Sequence, residues 1–420
     1  MLKRRVISSA KAVAIEIIRA LHLKERRKQH FQLLPNGLYR LGLHFAKALS
    51  LLIVVLPCGM SMLSCHGKTS EEATTNDIAF RYATLLSVGR TDSFTRVDIA
   101  DPWHKGQTAA TYLLIPSDKP LPKHLPQGII VRTPLKRAVA FSAVHAALAE
   151  NLGCIGQIIG VCDADYICSA PLRKALAEGS LTNFGQAMQP AIEQIVAHKA
   201  DGLLISPFRD HVPGPVERIG IPVIACADYM ETSPLGRAEW MRFYGMLLGC
   251  EARADSLFDE VEARYMKWKA IATKAKSHPT LMVDLRTGPV WYVAGGRSTM
   301  GRLYADAGLA YLFASDTVSG SVPLDFERVY TRCSEADYWF MKYGNATDYT
   351  YTSIAANDAR YKRFKPWNER HIVGCNTLRT PFYEETPFHP DKLLEEFVQT
   401  FHPELRASDF SAKYIAPLTE

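Results

Sequence analysis

The chain has 420 residues, of which 47% are apolar and 22% are charged. This ordinary globular composition excludes a disordered, collagen-like or polytopic membrane protein, and the length allows two or three domains of about 150 residues. The net charge of +6 is concentrated near the N-terminus: residues 1–64 hold eleven Lys and Arg against two Glu, so the remainder carries −3. A nucleic-acid-binding protein needs clustered positive charge on its folded domain, so nucleic acid is excluded as a partner.

Residues 1–64 are predicted to be a leader with a signal peptide. The uncharged run at 48–64 follows several basic residues, as in signal peptides, but the leader exceeds their usual length of about 15–30 residues. Either residues 1–39 reflect a start codon assigned too far upstream, or they are a translated extension. The run ends in MLSC at 62–65, which resembles a bacterial lipobox. We therefore expect Cys65 to be lipidated and to anchor the protein to a membrane; a plain membrane anchor with an incidental cysteine is the alternative.

The region after the leader is predicted to be a polar tether at 65–93 and an α/β lobe at 94–249. In the lobe, short apolar runs alternate with helical patterns, which is typical of a parallel sheet covered on both faces. The predicted strands are 111–115, 128–131, 138–141, 155–161, 202–205 and 222–225. The predicted helices are 143–152, 189–200 and a segment with Ser233 as N-cap and Pro234 at its first position, which breaks near Gly249.

Residues 250–277 are predicted to be one long linking helix. Ala254, Leu257, Phe258 and Val261 recur at helical spacing with charged residues between them. A helix of roughly 25 residues spans about 38 Å, which is enough to reach from one domain to another.

Residues 278–420 are predicted to be a second α/β lobe. The predicted strands are 280–285, 290–293, 337–340 and 371–374. The predicted helices are 326–333, 391–401 and one that follows the turn AGGRSTMG at 294–301. This turn lacks the spacing of a phosphate-binding loop, and its glycines are expected to let the backbone approach a ligand. The predicted fold class is therefore α/β, with two lobes, each a mainly parallel sheet with flanking helices, joined by one long interdomain helix.

Seven cysteines follow the proposed lipidation site at Cys65, and none forms a CxxC pair. A large exported domain does not need a disulfide framework, so most are expected to be buried free thiols. A Cys162–Cys168 or a Cys154–Cys168 bridge stays open at this point.

Five segments in this order resemble the substrate-binding proteins of ABC importers for vitamin B12, ferric siderophores and haem. They are KRAVAFSAVHAALAENLG (136–153), AIEQIVAHKADGLLIS (191–206), SPLGRAEWMRFYGMLLG (233–249), DFERVYTRCSEADYWF (325–340) and PFHPDKLLEEFVQTFHPEL (387–405). The resemblance implies the helical-backbone periplasmic binding protein fold, with the ligand in the cleft between the lobes.

The resemblance also implies that one acidic residue on each lobe contacts the permease. The matching positions are Glu193 and Glu327, each at the start of a helix that leads into a strand. A Glu in the first helical turn also complements the helix dipole, which is the alternative role for both residues.

The ligand site is expected beyond the carboxyl ends of the parallel strands, where loops of both lobes face the cleft. Aromatic rings there would give wide apolar contact, and arginines could meet carboxylates. The nominated residues are Ser142, His145, Tyr166, Phe208, Arg209, Tyr229, Trp291, Gly296, Ser298, Tyr343, Arg379 and Tyr383. The alternatives are that His145 is a core or capping residue, that Tyr229 and Tyr383 pack the lobe interface, and that both arginines are solvated loop charges.

The function that these observations predict is capture of a metal chelate, namely a corrinoid, a ferric siderophore or haem, and its delivery to an ABC permease. The protein is expected to act as a monomer in the periplasm or on the extracytoplasmic face, without a cofactor or catalytic residue. A corrinoid is favoured because few cationic residues are expected in the cleft. The alternatives are a binding protein for bare zinc, manganese or iron ions and a non-transport enzyme on a two-lobed α/β scaffold.

Overall fold

The computed structural model describes residues 76–209 and 214–420. The predicted leader, the lipidation site at Cys65 and the first part of the tether lie outside these residues. Within the described ranges, no helix combines the length and apolarity needed to cross a membrane.

The first sheet has five strands in the order β1-β2-β3-β4-β5 and is antiparallel except for the parallel pair β4 and β5. The strands are β1 (Asn76–Ile78), β2 (Leu86–Arg90), β3 (Thr95–Ala100), β4 (Thr108–Pro116) and β5 (Ile129–Thr133). The predicted tether at 65–93 is therefore wrong from residue 76 onward. At three and five residues, β1 and β2 are too short for their residue pattern to distinguish strands from a tether.

The second sheet forms the first lobe's core and is parallel throughout, in the order β12-β11-β6-β7-β8. Its strands, with the small hairpin β9–β10, are β6 (Ala138–Ala140), β7 (Ile158–Val161), β8 (Thr182–Asn183), β9 (Gly185–Gln186), β10 (Gln189–Pro190), β11 (Gly202–Ile205) and β12 (Val223–Ala225). The helices are α1 (Ala143–Asn151), α2 (Ala170–Ala177) and α3 (Ile192–Ala197). The predicted helix at 189–200 is shorter in the structure, because its first two residues pair in the hairpin.

Three consecutive helices connect the lobes: α4 (Pro234–Glu239), α5 (Met241–Leu248) and α6 (Glu251–Ala272). Ser233 is the N-cap of α4 and accepts a hydrogen bond from the Gly236 N–H, as predicted. Gly249 ends α5 with φ 73°, a left-handed conformation that glycine adopts at low cost. At 22 residues, α6 is about 33 Å long.

The second lobe contains a five-stranded sheet in the order β16-β13-β18-β19-β20, parallel except for β19 and β20, and an antiparallel sheet β14-β15-β17. The strands are β13 (Thr280–Val283), β14 (Arg286–Thr287), β15 (Val290–Ala294), β16 (Ala310–Tyr311), β17 (Ser321–Leu324), β18 (Tyr338–Tyr343), β19 (Ile372–Asn376) and β20 (Ala416–Pro417). The helices are α7 (Thr299–Asp306), α8 (Phe326–Cys333), α9 (Tyr351–Asn357), α10 (Lys365–Asn368), α11 (Phe382–Glu385) and α12 (Pro390–Phe401). Two α/β lobes joined by a long helix are thus confirmed.

Two of the cysteines form a disulfide that the sequence analysis did not predict. Cys154, after α1, forms a disulfide with Cys250, before α6, and their Cα atoms are 6.9 Å apart. Neither of the two bridges left open from the sequence forms. Sequence spacing could not identify this pair, since 96 residues separate its members. The other described cysteines are free thiols.

Candidate ligand-binding cleft

A cavity of about 940 Å³ lies between the two lobes, at the carboxyl ends of the central strands of both parallel sheets. Ser142 follows β6, Tyr166 follows β7 and Phe208 follows β11. From the second lobe, Gly344 follows β18 and Leu378 follows β19. The cavity therefore occupies the place where open parallel sheets hold ligands.

Apolar side chains that are exposed to solvent concentrate in this cleft. Twelve large apolar residues of the described chain are exposed, and five of them line the cavity: Tyr166, Met188, Phe208, Leu378 and Tyr383. Met188 is 77% exposed, on the turn between β9 and β10. A contiguous set of exposed apolar residues in a concave site is typical of a ligand-binding surface.

The charged residues of the lining are acidic. Asp163 adopts a left-handed conformation with φ 53° and accepts a hydrogen bond of 3.1 Å from the Ala187 N–H. Glu217 accepts a hydrogen bond of 2.6 Å from the Gly214 N–H. Among the lining residues that the structure describes, none is Lys or Arg.

The third acidic residue of the lining, Glu384 on α11, connects the lobes. Its carboxylate accepts hydrogen bonds of 2.9 to 3.1 Å from the N–H groups of Cys168 and Ser169, at the start of α2 in the other lobe. Burial raises the pKa of Glu384, and these hydrogen bonds act in the opposite direction. Glu384 therefore holds the two walls of the cleft together from the second lobe.

A second, more polar compartment of about 660 Å³ adjoins the cavity and shares Gly344 and Tyr383 with it. Lys342 lies here and pairs with Asp284 at 2.6 Å. Burial lowers the pKa of Lys342, but the charge of Asp284 outweighs burial and raises it overall. Arg286 pairs with Asp358 at 2.8 Å. Both cations of this compartment are thus neutralised by carboxylates.

The nominated residues divide into two groups. Ser142, Tyr166, Phe208 and Tyr383 line the cavity, and Tyr343 lines the adjoining compartment. The remaining nominees lie outside both linings: His145, Arg209, Tyr229, Trp291, Gly296, Ser298 and Arg379.

His145 is buried in an ion-pair network rather than exposed to a ligand. Its Nε2 lies 3.0 Å from Asp228 Oδ1, and the Tyr244 hydroxyl donates to the same oxygen at 2.9 Å. Arg237 Nε donates to the other carboxylate oxygen at 3.0 Å. Burial raises the pKa of Asp228, but His145 and Arg237 outweigh burial and lower it. The nomination of His145 for the cleft is wrong because its helix turns the ring into this network.

Three of the candidate residues in the second lobe have structural roles. Trp291 is fully buried, and its Nε1–H donates to the Val283 carbonyl oxygen at 3.0 Å. Ser298 caps α7 by accepting from the Gly301 N–H at 3.0 Å. A Cβ at Gly296 would collide with the carbonyl oxygen of Ala314. The glycine turn therefore permits close packing of the backbone on the segment at 314–320, not approach to a ligand.

The other three candidate residues lie near the cleft or on the surface. The Tyr229 hydroxyl donates to the Pro207 carbonyl oxygen, so Tyr229 supports the loop that carries Phe208. Arg379 is exposed and pairs with Asp348 at 2.6 Å. Arg209 is exposed.

Met188, Leu378 and the acidic residues of the lining were missed by sequence reasoning. An apolar residue in the turn of a short hairpin cannot be buried by its own hairpin, which is the signal that could have identified Met188. Nothing comparable distinguishes Asp163 or Glu217 from other loop carboxylates.

The described residues also bear on the alternative functions. No group of three or more His, Cys, Asp or Glu side chains in the described ranges is arranged to hold a metal ion. Glu193 and Glu327 are exposed in the first turns of α3 and α8 and take no part in the cleft lining.

Two α/β lobes, a long joining helix and an apolar cleft between the lobes define the class of two-lobed binding proteins. The sequence profile of the periplasmic binding protein family matches residues 139–375, and the chain belongs to that family.

Individual relatives are distant. An uncharacterised lipoprotein of Methanocaldococcus jannaschii is 23% identical over 328 residues, which cover 73% of this chain and 77% of that protein. S. aureus IsdE, solved with haem, is 17% identical with a TM-score of 0.51, over 63% of this chain and 98% of IsdE. An Fe³⁺-hydroxamate transport protein of Saccharomonospora viridis is 18% identical with a TM-score of 0.51, over 64% of this chain and 93% of that protein. At these identities, the structural likeness is one of fold.

Proposed function

We propose that this protein is the substrate-binding lipoprotein of an ABC importer and that it binds a metal chelate in the cleft between its lobes. The observation that carries the proposal is the concentration of exposed apolar side chains in that cleft, led by Tyr166, Met188 and Tyr383. Aromatic and thioether side chains suit a large, flat or globular chelate whose outer surface is partly apolar.

The relatives support the class of ligand. IsdE is solved with haem, and the protein from Saccharomonospora viridis is named for Fe³⁺-hydroxamate transport. The M. jannaschii relative is named a lipoprotein, which supports the proposed lipid anchor at Cys65 and an extracytoplasmic location. Delivery of the chelate to a permease through Glu193 and Glu327 is part of the same proposal.

A titration tests the ligand. The full-length protein in detergent is titrated with cyanocobalamin, haemin and ferric hydroxamates, followed by tryptophan fluorescence and calorimetry. We expect one class of chelate to bind with a dissociation constant below about 1 µM, which corresponds to roughly −8 kcal/mol. Failure of every chelate to bind would contradict the proposal.

Variants locate the site in the cleft. Tyr166→Ala and Tyr383→Ala each remove an exposed ring from the lining, so each is expected to weaken binding by about ten-fold. Met266→Ala is the matched control, because Met266 is also exposed and apolar but lies on α6, away from the cavity. If all three variants bound the chelate as tightly as the unmodified protein does, the ligand site would lie elsewhere.

A further inference from the structure

The polar compartment that adjoins the chelate cavity has a volume of about 660 Å³ and is lined by second-lobe residues alone. It lies beyond the carboxyl ends of β13 and β18. A volume of this size is within the range of cavities that hold small molecules. Its described lining includes only two aliphatic side chains, Leu285 and Ile354, so it is not a continuation of the apolar wall of the cleft.

Tyrosines from several elements line this compartment. Tyr343, on β18, and Tyr349, before α9, stack with their ring centroids 4.2 Å apart and their planes 10° from parallel. The Tyr349 N–H also donates to the Tyr343 hydroxyl at 3.0 Å, which fixes the pair. Tyr292, on β15, contributes a ring that is 48% exposed. Such rings offer flat apolar surfaces to a ligand and lose little side-chain freedom on binding.

Hydrogen-bonding groups without protein partners also line the compartment. Within the described part of the chain, no residue hydrogen-bonds to the hydroxyls of Tyr292, Tyr349 and Tyr383 or to the side-chain amide of Asn357. A hydroxyl and an amide can each donate and accept. These four groups are therefore free to hydrogen-bond to a ligand that carries several hydroxyls.

The charged groups of the lining are paired with one another or with a neighbour. Lys342 pairs with Asp284 at 2.6 Å, and Arg286 pairs with Asp358, which also binds Arg360. Asp284 has a left-handed conformation with φ 61°, and residues in such sparsely populated conformations cluster at functional sites. A charged ligand would have to compete with these ion pairs, whereas a neutral polar ligand can hydrogen-bond to them without separating them.

A pyranose sugar has the properties that this lining matches. One face of its ring carries C–H groups that pack on an aromatic ring, and its edge carries hydroxyls that donate and accept hydrogen bonds. We propose that the compartment is a second binding site, which takes a neutral saccharide of one or two rings. This site is additional to the proposed chelate site, and the inference does not rest on the proposed function.

Saturation-transfer NMR and calorimetry test the site on the full-length protein, free of chelate and in a detergent without a sugar headgroup. The neutral probes are D-glucose, D-galactose, N-acetyl-D-glucosamine and sucrose, and the charged probes are D-glucuronate and D-glucosamine. We expect at least one neutral probe to bind with a dissociation constant below about 1 mM, and neither charged probe to bind more tightly. Failure of every neutral probe to bind, or tighter binding of a charged one, would overturn the inference.

Variants assign the bound saccharide to this compartment. Tyr292→Ala removes an exposed ring and Asn357→Ala removes an unpartnered amide, so each is expected to weaken saccharide binding about ten-fold. Tyr292→Phe keeps the ring and removes the hydroxyl, so it should lose less affinity than Tyr292→Ala. Thermal unfolding verifies that each variant is folded.

The matched control is Tyr166→Ala, because Tyr166 is an exposed tyrosine that lines the chelate cavity and not the compartment. Its saccharide affinity is expected to stay within about two-fold of that of the unmodified protein. An equal loss of saccharide affinity in Tyr166→Ala and Tyr292→Ala would place the sugar in the chelate cavity and overturn the inference. Unchanged affinity in both Tyr292→Ala and Asn357→Ala would overturn it as well.

Discussion

Besides Glu384, three buried glutamates hold backbone segments that lie outside the strands. Glu239 accepts hydrogen bonds from the N–H groups of Arg81, Tyr82 and Ala83 at 2.8 to 2.9 Å. Glu231 and Glu396 make the same kind of contact with other segments, at 84–85 and 413–415 respectively. Each carboxylate satisfies donors that would otherwise be buried without partners.

Glu239→Gln tests this role at the residue scale. Glutamine has nearly the same shape but turns an N–H₂ group toward backbone N–H donors, so at least one buried donor loses its acceptor. We expect the free energy of unfolding to fall by roughly 3 kcal/mol, as measured by urea denaturation at neutral pH. The control is Glu260→Gln, at an exposed position of α6. A variant as stable as the control would contradict the role.

The loops that line the cleft are predicted from the sequence more reliably than the side chains that point into it. Tyr166 and Phe208 follow strands and line the cavity, but His145, only three residues after Ser142, points into the core. Trp291 was nominated because an aromatic residue near a strand end suits a ligand, yet it is fully buried. The orientation of a side chain depends on packing between distant elements, which a single sequence does not show.

At the element scale, helix starts were the most predictable features. Ser233, followed by Pro234, begins α4 with the predicted hydrogen bond, and α8 spans the predicted residues 326–333. Local chemistry decides these starts, because the capping side chain bonds to a backbone N–H within three residues. The helix at 189–200 was overestimated because residues Gln189–Pro190 pair with a strand just before them.

The strands β13 and β18 are tied at one end by Asp337, which gives a dependence of stability on pH. Its Oδ2 accepts hydrogen bonds from the N–H and the hydroxyl of Thr280 at 2.8 and 2.7 Å, and its Oδ1 accepts from Lys365 at 2.7 Å. Partial burial raises the pKa of Asp337, but these hydrogen bonds outweigh burial and lower it from 3.8 to about 2. A lowered pKa means that the folded state binds the proton less well than the unfolded state.

The contribution of Asp337 to stability is therefore present above pH 3.8 and is lost as the pH falls toward about 2. We expect Asp337→Asn to be less stable than the unmodified protein at neutral pH, and to lose less further stability between these two pH values. Urea denaturation across the acid range measures both, with the exposed Asp409→Asn as control. Parallel acid profiles for Asp337→Asn and the unmodified protein would rule out this contribution.

At the scale of the whole molecule, α6 joins the lobes by packing on helices from both of them. It lies against α5 of the first lobe and α12 of the second, and Arg264 on α6 reaches Glu395 on α12 at 3.0 Å. The Tyr265 hydroxyl donates to Asp306 on α7 at 2.8 Å. A helix fixed to both lobes is a stiff joint, so closure on a ligand is expected to be modest.

The proposed lipid anchor predicts where the protein is found in a cell fraction. Cys65→Ala removes the thiol that would carry the lipid, so the variant is expected to move from the membrane fraction to the soluble one. Fractionation with immunoblotting measures this, and Cys58→Ala, seven residues earlier in the leader, is the control that should remain with membranes. Membrane association that persists in Cys65→Ala would contradict the lipid anchor and favour the plain membrane anchor.

The proposed contact with the permease is tested by reversing charge on both lobes. Glu193 lies in the first turn of α3, which leads into β11, and Glu327 lies in the first turn of α8, which leads into β18. Both carboxylates are exposed in the first helical turn. Helices that precede parallel strands begin at the sheet's carboxyl edge, so we expect both to lie on the side where the cleft opens. Glu193→Lys/Glu327→Lys is expected to reduce chelate uptake at least ten-fold while the dissociation constant stays within about two-fold, because repulsion replaces attraction at both ends of the contact.

Glu178→Lys/Glu335→Lys makes the same change in net charge at exposed positions elsewhere on the two lobes and should transport normally. Normal uptake by the first double variant would contradict the docking role, whereas a loss of chelate affinity would assign these glutamates to the fold of the lobes instead.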